Sequence, residues 1–186
     1  MPENGSLILV NVSCKDLKST SNMRIFLMAA ALLIGQFVCA TNYYVDPSST
    51  ASLQNGLATS PWKSLTDLQN SITALQPGDV VYFKRGQVFA GSLNVKKSGT
   101  ATAPITFSTY GNATDAAPLF TGSGEYMINI SYQQYIVFDG LTISDTAMNE
   151  LDHSVQANLK RAFNIDGSNY ITIKNCLMEM LLMPFT

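Results

Sequence analysis

Between residues 127 and 178 the chain repeats itself, and that repeat limits what it can fold into. The runs Met127-Ile128-Asn129-Ile130 and Tyr135-Ile136-Val137-Phe138-Asp139-Gly140-Leu141-Thr142-Ile143 recur 35 residues on. The second copy reads Ala162-Phe163-Asn164-Ile165 and Tyr170-Ile171-Thr172-Ile173-Lys174-Asn175-Cys176-Leu177-Met178. Ile128 pairs with Phe163, Ile130 with Ile165, Ile136 with Ile171, Phe138 with Ile173, Leu141 with Cys176 and Ile143 with Met178. Every one of these pairs is apolar, while Asn129/Asn164 and Tyr135/Tyr170 are identical.

The spacing inside the repeat gives it a shape. Ile136 and Phe138 are two apart and share a strand face, as do Leu141 and Ile143. The step from Phe138 to Leu141 breaks that alternation, and a two-residue corner at Asp139-Gly140 restores both pairs to the inside. Lys174-Asn175 is the matching corner, and Gly and Asn are the residues that best tolerate left-handed backbone angles. Strand, corner, strand, repeated in register, builds a coil of parallel strands whose apolar interior stays open until the next turn covers it. A β-sandwich is the competing architecture, but hairpin-linked strands do not account for the shared register.

Upstream, Asn42-Tyr43-Tyr44-Val45 is a short strand stopped by Asp46-Pro47, and residues 48–61 read as a surface loop. One helix is expected: Ser64 caps it, Asp67 completes a capping box, and Leu65, Leu68, Ile72 and Leu75 share a face. Gln76-Pro77-Gly78-Asp79 ends it, with Trp62 placed to pack as a lid on the same face. Residues 80–84, 87–89, 92–95, 104–109 and 118–121 then form short strands separated by glycines. No second helical pattern interrupts them, which excludes alternating βα units.

The chain begins with what reads as an export leader. Met23-Arg24, the uncharged apolar run of residues 25–38 and the Val38-Cys39-Ala40 end fit a signal peptide at residues 23–40. That run falls short of the roughly 20 residues a membrane span needs, so no stable span is expected after cleavage. A buried core helix and a lipoprotein signal at Cys39 are the alternatives. The latter lacks small residues in Gln36-Phe37-Val38. Residues 1–22 carry Glu3, Lys15, Asp16 and Lys18 and read as a start placed too early. Beyond Ala40 the chain carries eight Lys/Arg against eleven Asp/Glu, without a basic stripe for nucleic acid. Cys176 is its one cysteine, so packing rather than an intrachain disulfide must stabilise the exported part.

These expectations divide the chain into a leader (1–22), a signal (23–40), a cap of strand and helix (41–79), coils (80–178) and an atypical tail (179–186). Glu179-Met180-Leu181-Leu182-Met183-Pro184-Phe185-Thr186 has no strand-corner pattern and reads as a truncation. Residues 144–161 are expected to loop out between the two copies.

Several ordered motifs resemble the right-handed parallel β-helix proteins of the pectate-lyase-like superfamily, particularly secreted bacterial members. They are Tyr43-Tyr44-Val45-Asp46, Ser60-Pro61-Trp62-Lys63-Ser64-Leu65, residues 75–86 from Leu75-Gln76-Pro77-Gly78-Asp79 onward, Ser98-Gly99-Thr100, Ala103-Pro104-Ile105-Thr106-Phe107 and Tyr110-Gly111. The resemblance covers about residues 42–178. It implies an all-β right-handed parallel β-helix (a solenoid) with a short N-terminal capping helix. It also implies chemistry on polysaccharides, commonly β-elimination from acidic sugars by a Lys or Arg base, with calcium neutralising the uronate carboxylate, or hydrolysis by carboxylates. A non-catalytic β-helix for surface display, adhesion or polysaccharide binding is the alternative.

The residues themselves single out no catalytic set, no metal ligands and no cofactor, and calcium rests on the resemblance alone. Lys84-Arg85 and Lys96-Lys97 read as exposed strand ends. Lys160-Arg161, with Glu150, Asp152 and His153 nearby, is the loop placed to meet a sugar carboxylate. Asp139 and Asp166 do not fall at matching repeat positions, so they form no ladder of metal carboxylates. Cys/His metal sets and a Ser-His-Asp triad are excluded by the single histidine and the lack of a nucleophile turn. Tyr132, Tyr135 and Tyr170 could line a sugar-binding surface, although a ladder between turns explains Tyr135 and Tyr170 and is the favoured reading.

Overall fold

The computed structural model describes residues 40–122, 125–145 and 161–180. Twelve strands and one helix make up this part: β1 (Asn42–Val45), α1 (Leu65–Ser71), β2 (Val80–Lys84), β3 (Val88–Ala90), β4 (Leu93–Val95), β5 (Ile105–Tyr110), β6 (Leu119–Thr121), β7 (Tyr126–Ser131), β8 (Gln134–Asp139), β9 (Thr142–Asp145), β10 (Arg161–Asp166), β11 (Asn169–Lys174) and β12 (Leu177–Met180). All strand pairs between them are parallel, in three sheets ordered β1-β2-β5-β8-β11, β10-β7-β4 and β12-β9-β6-β3. This is a right-handed parallel β-helix with a short N-terminal helical segment.

The two copies lie one above the other in the expected register. Ile171 sits beside Ile136, Ile173 beside Phe138, Met178 beside Ile143 and Phe163 beside Ile128. Ile136, Phe138, Leu141 and Ile143 point into the core. The corners have the left-handed geometry the sequence demands: Gly140 has φ +83° and Asn175 has φ +53°. Rings continue the core along the axis. Phe107 stacks on Phe138 at 5.1 Å, and Phe83, Phe89 and Phe120 pack mutually at 4.9–5.5 Å.

More turns are present than the two copies in the sequence. Val80 lies beside Thr106, Ile105 beside Ile136, and Ile136 beside Ile171. From β2 onward the offsets along this sheet are therefore 26, 31 and 35 residues. Strand register is kept while the connections between strands change length: the 35-residue spacing also relates β4 to β7, with Leu93 beside Ile128, but only the last step keeps it on all three sheets.

Two expectations about boundaries are corrected. Strand β12 runs to Met180 beside Asp145, so Glu179 and Met180 belong to the coil and not to a separate tail. Ser144 and Asp145 close β9 and Arg161 opens β10, so the connection is confined to residues 146–160, which lie outside the described residues. The leader and all of the signal except Ala40 also lie outside them, as do residues 181–186. Among the described residues no helix is long and apolar enough to cross a membrane.

The cap is built as its sequence pattern requires. Ser64 accepts a hydrogen bond from the Asp67 amide at 3.1 Å and donates to its carboxylate at 2.6 Å. The α-helix is short and tightens to a 3-10 turn over Ile72–Ala74, where β-branched Ile72 and Thr73 favour helix less. Leu65, Leu68, Ile72 and Leu75 are buried over the first coil. Trp62 is buried too, fixed by a bridge to Val45 and stacked on Tyr43 at 5.1 Å.

Gln69 adds a device that the apolar pattern does not reveal. Its amide accepts from the Asn94 N–H at 2.8 Å and donates to the Asn94 carbonyl at 3.1 Å. Those are the two bonds a neighbouring strand would make, so one side chain closes the open edge of β4. Below it Asn94, Asn129 and Asn164 form a ladder of side-chain bonds at 3.1 and 2.8 Å.

Candidate functional site

Alternation along β1, β2 and β5 sends Val45, Val81, Phe83, Ile105 and Phe107 inward, and so turns Tyr44, Tyr82, Lys84, Ser108 and Tyr110 outward. Register places Tyr44 beside Tyr82, Tyr82 beside Ser108, and Lys84 beside Tyr110. Small Ser108 leaves room next to Tyr82, and the three rings gather. Tyr44 stacks on Tyr82 at 5.5 Å and meets Tyr110 edge-on at 5.1 Å. The result is a half-buried aromatic platform on the outer face of the sheet.

Charged groups border it. Asp46, just after β1, accepts from Lys84 Nζ at 2.8 Å and from the Ser48 hydroxyl and amide at 2.6 and 2.9 Å. Burial pushes its carboxyl up, but the hydrogen bonds from Lys84 and Ser48, with the Lys84 charge, outweigh that and hold it below the ordinary value. Tyr110 is pushed up to about 12 by burial and by the negative charge of Asp46, with a smaller push from Tyr44. The Arg85 guanidinium bonds to the neutral oxygens of Asp115 (carbonyl) and Thr109 (hydroxyl) at 3.3 and 3.4 Å.

At neutral pH this site therefore presents a fixed carboxylate acceptor paired with the Lys84 ammonium, a phenol that keeps its proton, and aromatic faces. Such a set suits recognition of sugars better than proton transfer, which works best with groups that titrate near the working pH.

The other candidate residues are scattered. Lys84 is part of this site, Arg85 is held at the end of β2 by Asp115 and Thr109, Lys96 is exposed beyond β4 and Lys97 is half-exposed. Asp139 sits at the end of β8, paired with Lys174 at 3.3 Å and accepting from Asn175 at 2.8 Å. Asp166 ends β10 on the exposed side. Tyr135 and Tyr170 stack at 4.5 Å with planes 3° apart, as a ladder between turns requires. Arg161 opens β10, but its side chain lies outside the described residues, as do Glu150, Asp152, His153 and Lys160. Among the described residues no three His, Cys, Asp or Glu side chains come together.

Sequence reasoning missed the platform itself. Tyr44, Tyr82 and Tyr110 are separated by unequal intervals, and only the strand register brings them together. The signal available was the outward alternation in β2 and β5.

No family model matches this chain. Over 87 residues it is 37% identical to the lacto-N-biosidase of Bifidobacterium longum subsp. longum, an overlap of 45% of this chain but only 5% of that protein. Its fold is similar to that of the GH136 lacto-N-biosidase from Eubacterium ramulus, with a TM-score of 0.57 and 21% identity over 86% of this chain and 30% of the other. It is also similar to an alginate lyase from Paenibacillus, with a TM-score of 0.51 and 18% identity over 74% of this chain and 36% of that one. At these identities the likeness shows the parallel β-helix fold. This chain spans about a third or less of the length of each of these proteins.

Proposed function

We propose that this chain is part of an exported carbohydrate-active β-helix protein, and that its described coils hold a glycan on the outer face rather than cleave it. The observation that carries the reading is the platform of Tyr44, Tyr82 and Tyr110. Each sugar ring has an apolar face that packs on an aromatic ring and a rim of hydroxyls for polar groups such as the Asp46 carboxylate. Support comes from the resemblance to proteins whose names place them among enzymes acting on carbohydrates, a glycosidase and a lyase.

The finer reading, for the whole protein rather than for these coils, is an acidic polysaccharide substrate and lyase chemistry. Arg85 favours it, because a guanidinium held by neutral oxygens is ready to neutralise a uronate carboxylate. Lys84 is a poorer base candidate, since its ammonium is paired with Asp46.

The test is calorimetric titration of the chain with a neutral oligosaccharide (cellohexaose) and an acidic one (an alginate hexamer), repeated on Tyr82→Ala and Arg85→Gln. The reading expects saturable binding weakened by about three- to tenfold in Tyr82→Ala, from the loss of one aromatic contact. If the acidic reading is right, Arg85→Gln weakens the alginate hexamer alone. Unchanged affinity in Tyr82→Ala, or no binding by the native chain, would overturn the proposal.

A further inference from the structure

The peptide nitrogen at which the export leader would be cut faces a buried carboxylate. Asp79 closes the turn that follows the capping helix and is 1% exposed. Its Oδ2 accepts from the Gln76 N–H at 2.7 Å, and its own N–H donates to the Gln76 carbonyl at 3.0 Å, so one oxygen serves the turn itself. The other oxygen reaches out of the turn. Oδ1 accepts from the Thr41 N–H at 2.8 Å, 38 residues earlier in the chain. The Val80 N–H donates to the Thr41 carbonyl at 3.0 Å and fixes Thr41 beside the turn.

A buried charge is ordinarily paired with an opposite one. Among the described residues the ion pairs are Asp46–Lys84 and Asp139–Lys174, and Asp79 belongs to neither. Its printed partners are two neutral amides. Ala40, on the other side of the Thr41 nitrogen, is exposed, and a Cβ on Gly78 would stand 3.3 Å from its own Cβ. The residue before Thr41 thus lies over the outside of the turn, and its removal opens no cavity in the core.

We propose that Asp79 is a built-in counter-ion for a processed amino terminus at Thr41. A signal peptidase adds water across the Ala40–Thr41 bond. The water oxygen leaves on the Ala40 carboxylate, and both hydrogens go to the Thr41 nitrogen, which becomes an ammonium. That nitrogen keeps its place against Oδ1, and a neutral hydrogen bond becomes a charge-assisted one, roughly twice as strong. Asp79 is desolvated before and after the cut, so the gain is not offset by burying a second carboxylate. Thr41 is half-buried, which leaves water within reach of the other ammonium protons. Processing therefore locks the start of β1 onto the turn before β2, and the unprocessed chain has the looser cap. This inference rests on the export part of the reading above and is independent of the glycan part.

The test compares two exported products, both made as full chains and processed by the cell. One is native, and the other carries a single glycine inserted between Ala40 and Thr41. The insertion moves the ammonium one residue away and leaves Thr41 with a neutral amide. The native product should melt about 3–6 °C above the inserted one, and the gap should vanish when both carry Asp79→Asn. Asp79→Asn also disturbs the Gln76 turn, so a second measurement needs no change at Asp79. Acylation of the α-amine should be about tenfold slower in the folded native product than in urea, because a paired ammonium supplies less free amine. Equal melting temperatures, a gap that persists in Asp79→Asn, or an amine acylated as fast when folded as in urea would each overturn the assignment. An exported product that starts elsewhere than Thr41 would overturn it through the export reading and leave the glycan reading standing. Failure of cellohexaose or the alginate hexamer to bind would do the reverse.

Discussion

Phe138 is the residue on which the repeat turns. It is fully buried, stacked on Phe107 from the turn above and met edge-on by Phe163 at 5.2 Å. Phe138→Ala should cost about 3–5 kcal/mol in urea unfolding, and Phe138→Asp should prevent folding by burying a charge without a partner. Thr172 lies on the exposed face of the next turn, so Thr172→Asp should change stability by no more than about 0.5 kcal/mol. Equal losses in the two Asp variants would contradict the inside–outside assignment. Asp46 adds a pH dependence. Its folded pKa lies below the ordinary 3.8, so its contribution is complete above the unfolded value and fades as pH falls through the folded one. Lys84 is about a third exposed, which keeps the pair worth less than about 1 kcal/mol. Asp46→Asn should accordingly flatten the acid side of the stability profile while leaving the basic side unchanged in shape.

Among the elements, the cap and the strands were the most legible. Ser64, Asp67 and the apolar stripe of Leu65, Leu68, Ile72 and Leu75 announce a capped amphipathic helix, and the structure uses every one of them. Gln69 was not legible, because a polar side chain on a helix carries no signal of the strand edge it will meet 25 residues later. Gln69→Ala should cost about 1–2 kcal/mol through two lost bonds and speed hydrogen exchange at the Asn94 amide. Unaltered exchange there would mean that the β4 edge is closed by other means. The same blindness hid the tyrosine platform, whose members lie on three strands at unequal spacing. By contrast, the Tyr135–Tyr170 ladder was readable because both residues sit in the step that keeps a 35-residue spacing on all three sheets.

For the whole molecule, the offsets of 26, 31 and 35 residues explain why two turns were visible in the sequence and the others were not. Strand register is set by the stacked core, while the corners accept insertions without disturbing it. The last described turn presents partly exposed apolar groups, with Ile165 at 46% and Met178 at 56%, where Ile130 and Ile143 above them are buried. Export remains our proposal, and it has a structural corollary. The Thr41 amide donates to the buried Asp79 carboxylate at 2.8 Å, and cleavage after Ala40 would turn that amide into an ammonium against the same carboxylate. N-terminal sequencing of the exported product should begin at Thr41, and a start upstream of Met23 would refute the signal. With pectate, alginate and glycosaminoglycans, assays for unsaturated product and for reducing ends should show no efficient turnover, because Asp46 and Lys84 are engaged with each other and Tyr110 holds its proton. Turnover at about 1 s⁻¹ or more, ordinary for enzymes, would contradict that.

The central claim is that the outer aromatic face, and not some other surface, meets the sugar. Amide chemical-shift mapping during titration with cellohexaose and the alginate hexamer tests it residue by residue. Shifts should concentrate at Tyr44, Asp46, Tyr82, Lys84 and Tyr110. Shifts confined to other residues, with those positions silent at saturation, would contradict it.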